Sequence, residues 1–189
     1  SLPLKTPEGM DTRPTTDRIK ETLFNMLQTY IPDCVFVDIF SGSGGIGIEA
    51  LSRGARKAYF IENAPKALTC IEDNLAFTKM KDRAIVLKQD ACAGLTGIYE
   101  KHVDVIFMDP PREGSTPQFI ESVARMAPKR VVYVSCNPET MARDLALLTQ
   151  KGYRAEGFTP VDMFPHSAHC EVVCALSRMT PEKKKQPRQ

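Results

Sequence analysis

The sequence predicts an α/β protein built on a doubly wound, mostly parallel sheet. Short runs of β-branched and aromatic residues alternate along the chain with amphipathic helical segments, and the connections between them are short. Units of this kind adopt right-handed crossovers, which keep the strands parallel and place helices on both faces of the sheet. At 189 residues the chain has the size of one domain. We expect that domain to span residues 1–178, with a helical lead-in over residues 1–30.

Most of the predicted strands are apolar runs that end close to a glycine, a proline or an acidic residue. The strands span residues 35–40, 58–61, 84–87, 103–108, 131–134 and 171–176. The predicted helices span residues 19–27, 46–53, 65–80 and 138–150. Thr16 is the expected N-cap of the first helix, and Gly54 and Gly152 are expected to end the second and the fourth.

The composition argues against several classes of protein. With 42% apolar and 25% charged residues the chain is close to globular averages, and it contains no run of about 18 apolar residues that could cross a bilayer. Residues 1–30 lack a signal-peptide pattern, so we expect a cytoplasmic location. The six cysteines are scattered without a Cys-x-x-Cys pair, which argues against a zinc cluster or a disulfide framework. The net charge of +2 does not by itself indicate a nucleic-acid partner, and we expect the basic tail, residues 179–189, to be disordered.

A glycine turn after the first strand is the first candidate binding site. Gly42, Gly44 and Gly47 have the Gly-x-Gly-x-x-Gly spacing of many nucleotide-binding turns. Asp38 stands four residues before Gly42, where a carboxylate would repel a pyrophosphate but attract the positive charge of a sulfonium amino acid. The pattern therefore favours S-adenosylmethionine over a nicotinamide dinucleotide, and a dehydrogenase is the weakest alternative.

Two further acids follow the next two strands. Glu62 ends the second strand, where it would accept hydrogen bonds from the two ribose hydroxyls, and Asp90 follows the third, where it would accept from the adenine amino group. Each acid alone has a structural alternative, because helix N-termini favour nearby carboxylates. Three acids after three successive strands favour a cofactor site that includes Asp38, Glu62 and Asp90.

The first two-thirds of the chain resembles a known family of enzymes. Segments 13–18, 21–27, 38–47 and 49–55 and the tripeptide Asp109-Pro110-Pro111 are similar to the bacterial 16S ribosomal RNA guanine-N2 methyltransferases. This resemblance covers about residues 4–111. It implies the Rossmann-like, seven-strand fold of class I S-adenosylmethionine-dependent methyltransferases, ribosomal RNA as substrate, and a loop in which Asp109 holds the amine of a flipped base. Arg112 stands where that family has an aromatic residue that stacks on the base.

From about residue 103 to 178 the chain resembles a second family. Segments 109–112, 132–145 and 161–171 are similar to the bacterial uracil-C5 methyltransferases of 23S ribosomal and transfer RNA. This resemblance implies that Cys136 is a nucleophile, that Glu171 is the base that removes a proton, and that Asp109 holds the uracil edge. We therefore interpret the sequence as a hybrid whose seam lies near residues 95–103.

The chemistry of uracil supports the second resemblance. C5 of uracil is not nucleophilic enough to attack a methyl sulfonium until a thiolate has added to C6. Cys136 lies between a strand end and a helix start, where the helix dipole is expected to lower the pKa of the thiol. For His166 and His169 we expect a hydrogen-bonding role in a loop, since two histidines without a third ligand nearby do not predict a metal site.

Basic residues near the start of the chain are the remaining substrate-binding candidates. Arg13 and Arg18 either face an anionic partner at the carboxyl edge of the sheet or flank a capped helix that packs on the sheet edge, and both interpretations stay open. The predicted RNA-binding set consists of these two residues with Pro110, Pro111 and Arg112.

The sequence thus predicts an enzyme that transfers a methyl group from S-adenosylmethionine to RNA, with ribosomal RNA as the expected substrate. Uracil C5, methylated through Cys136, is the favoured target. The alternatives are guanine-N2 methylation by the loop that starts at Asp109, and a cofactor-binding scaffold without activity. We expect neither a metal nor a membrane partner.

Overall fold

The computed structural model describes residues 3–7, 17–162 and 170–180. The strands are β1 (Val35–Ile39), β2 (Lys57–Glu62), β3 (Ala84–Lys88), β4 (Val105–Met108), β5 (Arg130–Ser135), β6 (Tyr153–Asp162) and β7 (Cys170–Arg178). The helices are α1 (Asp17–Leu27), α2 (Gly45–Ser52), α3 (Pro65–Phe77), α4 (Ala91–Thr96), α5 (Pro117–Arg125) and α6 (Pro138–Gln150), with a 3-10 turn over Lys81–Arg83. All seven strands belong to one sheet, in the order β3-β2-β1-β4-β5-β7-β6.

The predicted doubly wound, mostly parallel sheet is confirmed. Strands β1 to β5 are parallel, while β7 runs antiparallel between β5 and β6. Side chains alternate between the two faces of each strand, so Phe36 packs under α1, α2 and α3, whereas Val35 and Val37 pack under α4, α5 and α6. Helices therefore cover both faces. In the described part of the chain, no helix is long and apolar enough to span a bilayer.

The structure corrects several predicted boundaries. Helix α3 ends at Phe77 and not at residue 80, because Lys79 adopts a left-handed conformation with φ of 57° that breaks the helical path. Strand β4 starts at Val105 and not at residue 103, since pairing with β1 begins there. Helix α5 was not predicted, although Thr116 followed by Pro117 is a recognisable N-cap and first helical position.

Two more elements have weak sequence signals and were also missed. Helix α4 is a six-residue segment of mostly small residues with a glycine inside it. Strand β6 forms an edge of the sheet, where polar residues are tolerated, and its pattern is interrupted by a bulge at Ala155/Gly157 and by Pro160. Neither element has the sustained apolar period that predicts a helix or a buried strand.

The order of the strands defines where a ligand can bind. The chain moves outward from β1 to β2 and β3, and then returns to place β4 on the other side of β1. In open α/β sheets this reversal leaves a crevice beyond the carboxyl ends of the two central strands. Ile39 pairs with Met108 across them, so the turn after Ile39 and the loop after Met108 lie side by side.

Candidate functional site

The turn after β1 has an unusual backbone conformation. Phe40, Gly42 and Gly44 all have positive φ angles, of 61°, 53° and 78°. The conformation is unfavourable for a large residue such as Phe40, whose ring packs against Phe119 at a centroid distance of 5.7 Å. A Cβ on Gly42 would meet no atom within 4 Å, so the backbone at this residue borders open space. The turn therefore presents an accessible stretch of backbone at the crevice.

Asp38 lies beneath this turn and is almost completely buried, with 1% exposure. Its Oδ2 accepts a hydrogen bond from the backbone N–H of Gly47 at 2.9 Å, while Oδ1 is buried without a hydrogen-bond partner among the described residues. Burial raises the pKa of Asp38 well above its usual range, and the charges of Glu62 and Asp109 raise it further. Asp38 thus supports the glycine turn and keeps one acceptor unsatisfied, a state that normally indicates a missing partner.

Glu62 reaches from the end of β2 to the same turn. Its Oε2 accepts from the N–H of Gly42 at 2.9 Å, and its Oε1 accepts from the N–H groups of Asn63 and Ala64 at the same distance. Each carboxylate oxygen can accept two hydrogen bonds. Glu62 can therefore shape the turn and still accept one hydrogen bond from a ligand hydroxyl group, at Oε2.

The two other cofactor candidates, Asp90 and Gly47, have clear structural roles. Asp90 is the N-cap of α4, and its Oδ1 accepts from the N–H of Ala93 at 3.0 Å. Gly47 lies inside α2, where a Cβ would approach the ring of Phe60 to 2.3 Å. Helix capping explains an aspartate at position 90, and close packing explains a glycine at position 47. Contact of these two residues with a cofactor therefore stays a prediction.

Asn74, on α3, is hydrogen-bonded to the glycine turn, a role that was not identified from the sequence. This buried side chain on α3 donates from Nδ2 to the carbonyl oxygens of Ser43 and Lys5 at 3.0 and 2.9 Å, and its Oδ1 accepts from the N–H of Lys5 at 2.8 Å. It joins the segment near the N-terminus to the turn. A lone asparagine inside an amphipathic helix carries no sequence signal for such long-range contacts.

The loop after β4 carries the candidate base-binding residues. Asp109 is partly buried and Pro110 is buried, whereas Pro111 and Arg112 are exposed. Burial raises the pKa of Asp109 to about 7, and the nearby charge of Glu171 contributes to this increase. Asp109 can therefore change between a hydrogen-bond donor and an acceptor near neutral pH.

Cys136 and Glu171 come together through the antiparallel pairing of β5 with β7. Ser135 pairs with Val172 in this ladder, so the next position along β5, Cys136, lies opposite Glu171. Cys136 is exposed, whereas Cys34 and Cys174 are buried and their pKa values are raised by burial to about 12 and about 11. The two buried thiols are poor nucleophiles for this reason, whereas the thiol of Cys136 is accessible.

Alternation along the strands places these groups on one face of the sheet. Asp38 and Glu171 lie on the same face as Phe36 and Val173, which pack in one core cluster. The charge of Asp109 raises the pKa of Asp38, and the charge of Glu171 raises the pKa of Asp109, which agrees with this proximity. The structure therefore brings together the acid at the cofactor turn, the base-binding loop and the candidate nucleophile.

Of the remaining predicted residues, Arg18 lies in the first turn of α1, and the others are outside the described residues. Tyr30, just after α1, lies against Arg130 at the start of β5, with its ring 4.2 Å from the guanidinium carbon. Arg18 is exposed in the first turn of α1, while Leu23 and Phe24 of the same helix pack into the core, and its contact with RNA stays a prediction. Arg13, Thr16, His166, His169 and the tail over residues 181–189 are outside the described part. Within that part, no cluster of three potential metal ligands occurs.

Comparison with known proteins finds similarity to RNA methyltransferases and to structures of the same fold. A family model described as Conserved hypothetical protein 95 matches residues 1–164. An uncharacterized RNA methyltransferase of Caldanaerobacter subterraneus subsp. tengcongensis is 38% identical over 141 residues, covering 75% of this chain and 31% of the relative. A protein of Lactobacillus johnsonii with the same description is 39% identical over 153 residues, covering 78% and 33%. The chain thus spans about a third of the length of the curated relatives that it matches.

Solved structures give the same fold. The tRNA (uracil-54, C5)-methyltransferase of Pyrococcus abyssi, in complex with S-adenosyl-L-homocysteine, is 28% identical with a TM-score of 0.72, covering 87% of this chain and 40% of that one. The candidate methyltransferase yhhF of Escherichia coli is 26% identical with a TM-score of 0.69, covering 93% and 91%. An RNA methyltransferase candidate of Pyrococcus horikoshii, PH1948, has a TM-score of 0.76 at 17% identity. The predicted class I methyltransferase fold is confirmed.

The comparisons do not divide the chain at the predicted seam. The family model runs continuously through residues 95–103. The match of 141 residues to the Caldanaerobacter protein is longer than either portion that the seam would create, so it also crosses this region. The similarity to RNA methyltransferases therefore continues across this region, and the comparisons provide no evidence for a junction between two specific types.

Proposed function

The chain belongs to the family described as Conserved hypothetical protein 95, and we propose that it methylates uracil C5 in RNA with S-adenosylmethionine as cofactor. The observation that carries the choice of uracil is the position of Cys136. This exposed thiol directly follows β5, one position beyond the last pair of the β5–β7 ladder, Ser135 with Val172, which Glu171 precedes on β7, and the next residue, Asn137, contacts the loop that starts at Asp109. Ribosomal RNA is the substrate that we expect.

The residues at the glycine turn fit the cofactor. Asp38 Oδ1 is a buried acceptor without a partner among the described residues, and it can accept from the ammonium group of an amino acid ligand. The open space beside Gly42 admits a ligand against the backbone, and Oε2 of Glu62 can accept one further hydrogen bond, from a ribose hydroxyl. The S-adenosyl-L-homocysteine in the Pyrococcus abyssi enzyme supports the same ligand class here.

Cys136 starts the reaction in this proposal. Its thiolate adds to C6 of the uracil, forming a carbon–sulfur bond, and the electron pair of the C5–C6 double bond moves toward the carbonyl at C4. When bound, S-adenosylmethionine supplies a methyl group on a positively charged sulfur, which C5 attacks while the pair of the breaking bond goes to that sulfur. Asp109 holds the polar edge of the base, and in its neutral form it donates a hydrogen bond to a uracil carbonyl oxygen.

Glu171 completes the reaction by taking the proton from C5. The electron pair of that C–H bond restores the C5–C6 double bond and expels the Cys136 thiolate, so no oxidant or other reactant is required. A base in this role must reach the ring while the ring is joined to Cys136. The pairing of Ser135 with Val172 supports that arrangement, because it sets the two side chains on neighbouring strands.

A trapped covalent adduct tests the proposal. In RNA that contains 5-fluorouracil, the fluorine at C5 cannot leave as a proton does, so the adduct to Cys136 persists. We expect a protein–RNA band that survives denaturation, depends on the cofactor, disappears in Cys136→Ala and remains in the matched control Cys70→Ala on α3. Fragments of ribosomal and transfer RNA serve as separate substrates. If the wild-type protein formed no such band with either RNA, or if Cys136→Ala still formed it, the uracil mechanism would be contradicted.

Guanine-N2 methylation is the second candidate function. The resemblance of residues 4–111 to the guanine-N2 enzymes and the family match through residue 164 favour it. Here Asp109 and the loop backbone would hold the exocyclic amine, and no covalent bond to Cys136 would form. Mass spectrometry of nucleosides from methylated RNA separates the two functions. N2-methylguanosine formed equally by the wild type and by Cys136→Ala identifies the second candidate.

A further inference from the structure

The loop that starts at Asp109 is attached to the N-terminus of α6. The carbonyl oxygen of Arg112 accepts from Asn137 Nδ2 at 3.2 Å and from Thr140 Oγ1 at 3.3 Å. Asn137 is also the N-cap of α6, with Oδ1 accepting from the N–H of Glu139. Since Asn137 directly follows Cys136, the end of the base-binding loop and the candidate nucleophile have a common anchor.

A second attachment, one helical turn further along, uses a buried charge. Asp144 on α6 has 0% exposure, and its Oδ2 accepts from the N–H of Ser115 at 2.6 Å and from the hydroxyl of Tyr133 at 2.7 Å. Arg143 contacts the other carboxylate oxygen through Nε and Nη2, each at 2.9 Å. Its Nη2 also donates to the carbonyl oxygens of Ser115 and Glu113, at 2.9 and 3.1 Å. The backbone over residues 113–115 is thereby fixed to α6.

Gly114 shows how closely the two segments approach. Its φ is 77°, and a Cβ at this position would lie 2.6 Å from Arg143 Nη2, 2.9 Å from Asp144 Oδ2 and 2.9 Å from Thr140 Cβ. The close approach depends on a residue without a side chain. The loop and the helix therefore form one closely packed unit.

Desolvation limits what this arrangement contributes to stability. The carboxylate of Asp144 is fully buried while the guanidinium of Arg143 is half exposed, and removing a carboxylate from water costs free energy that its partners must first offset. Burial and the charge of Asp144 raise the pKa of Tyr133, so its hydroxyl remains a hydrogen-bond donor to the carboxylate. The buried carboxylate fixes the relative positions of three segments. Its oxygen atoms accept hydrogen bonds from Tyr133 on β5, Arg143 on α6 and Ser115 in the loop.

We propose that Arg143 and Asp144 are positioning residues that hold the base-binding loop, residues 109–112, at a fixed distance from Cys136. The inference rests on the proposed function and extends it to two side chains that touch neither the base nor the cofactor. Arg112 is held at the N-terminus of α6, directly after Cys136, and residues 113–115 are fixed about one turn further along the same helix. A shift of the loop relative to α6 would move the base away from the thiol, and errors of about 1 Å cost up to about 100-fold in rate.

The test measures the rate of adduct formation with RNA that contains 5-fluorouracil, at saturating cofactor and RNA. Arg143 is half exposed, so Arg143→Ala is expected to fold, and Arg125→Ala on α5 is the matched arginine control. We expect the first-order rate constant to fall about 10- to 100-fold in Arg143→Ala, while the final amount of adduct and the cofactor Kd stay unchanged. Arg143→Lys should recover part of the rate, and Tyr133→Phe, which removes one bond to Asp144, should show a smaller decrease.

Rate and amplitude separate positioning from a merely structural role. A variant that only unfolds loses amplitude, since fewer molecules react, but its remaining molecules react at the normal rate. Amide hydrogen exchange over residues 112–116 should accelerate in Arg143→Ala and not in Arg125→Ala. A normal rate constant in Arg143→Ala, with or without lost amplitude, would overturn the positioning role. Absence of adduct in the wild type would instead overturn the proposed function itself, and with it the catalytic role of this pair.

Discussion

Asp109 and Glu171 lie close enough for the charge of Glu171 to raise the pKa of Asp109, which burial brings to about 7. Asp109 directly follows β4 and Glu171 is in β7, with β5 between these two strands. The raised pKa of Asp109 makes the stability of the folded protein depend on pH.

The folded protein should lose stability as the pH rises from about 4 to about 7. The pKa of Asp109 is about 7 in the folded state, compared with 3.8 for an ordinary aspartate, so the folded state binds the proton more tightly. The contribution of Asp109 to the free energy of unfolding is largest at low pH, decreases by at most about 1.4 kcal/mol per pH unit and levels off above pH 7. Urea unfolding at several pH values measures it, with Asp109→Asn as the variant that lacks this dependence. If the free energy of unfolding changed equally with pH in the wild type and in Asp109→Asn, the raised pKa would not belong to Asp109.

Glu171→Gln should separate methyl transfer from release of the product. With ordinary uracil RNA, we expect an adduct that already carries the methyl group to accumulate, because no base removes the C5 proton. The same substitution should lower the pKa of Asp109, although burial keeps it above 3.8. Mass spectrometry of the adduct and carboxyl NMR of Asp109 are the measurements. Glu139→Gln, at the exposed start of α6, is the control, and normal turnover in Glu171→Gln would exclude the base role.

Gly42 and Gly47 should respond differently to alanine. Gly47→Ala places a Cβ 2.3 Å from the buried ring of Phe60, so we expect a loss of about 1 to 3 kcal/mol in unfolding free energy, partly restored by the additional change Phe60→Leu. Gly42→Ala meets no atom within 4 Å and should cost only about 1 kcal/mol for its positive φ. It should, however, weaken binding of S-adenosylhomocysteine about tenfold in calorimetry. Unchanged binding would place the ligand away from Gly42.

Gly114→Ala should destabilise the protein more than Gly152→Ala. Both glycines have positive φ, of 77° and 91°, but only Gly114 has atoms of Arg143 and Asp144 within 3 Å of the added Cβ. We expect about 1 kcal/mol for Gly152→Ala and at least about 2 kcal/mol for Gly114→Ala. Thermal and urea unfolding provide the comparison. Similar losses would mean that the loop can move away from α6 at little cost.

Asn74→Ala should loosen the glycine turn as well as the segment near the N-terminus. The buried side chain makes three hydrogen bonds, to Lys5 and Ser43, and its removal leaves buried polar groups unsatisfied at about 1 to 3 kcal/mol. We expect weaker cofactor binding together with faster hydrogen exchange at residues 41–44. Exposed Asn63 provides the matched control in Asn63→Ala. If Asn74→Ala lowered stability without changing hydrogen exchange at residues 41–44, the role of Asn74 would be limited to anchoring Lys5.

The candidate site was predictable where a residue type and a strand end coincide. Asp38, Glu62 and Asp109 each follow or end an apolar run, and parallel strands bring such positions to the same edge. The prediction that Asp90 binds the cofactor was less specific. An acid that follows a strand can also be the N-cap of the next helix, and Asp90 is the N-cap of α4. Asn74, Tyr133 and Asp144 were not predicted, since a buried polar residue within a helix or strand is recognised only by its partners.

Local regularities in the sequence determined the parallel strands, the glycine turn and the acids at the strand ends, because alternation, helical periodicity and turn chemistry act over a few neighbouring residues. Only the tertiary structure decided that β7 lies between β5 and β6, which places Glu171 opposite Cys136, and that Asp144 fixes the loop that starts at Asp109. These relationships depend on contacts between segments far apart in the chain. Their free energy comes from the packing of whole elements and from the pairing of buried polar groups, which local sequence patterns do not encode.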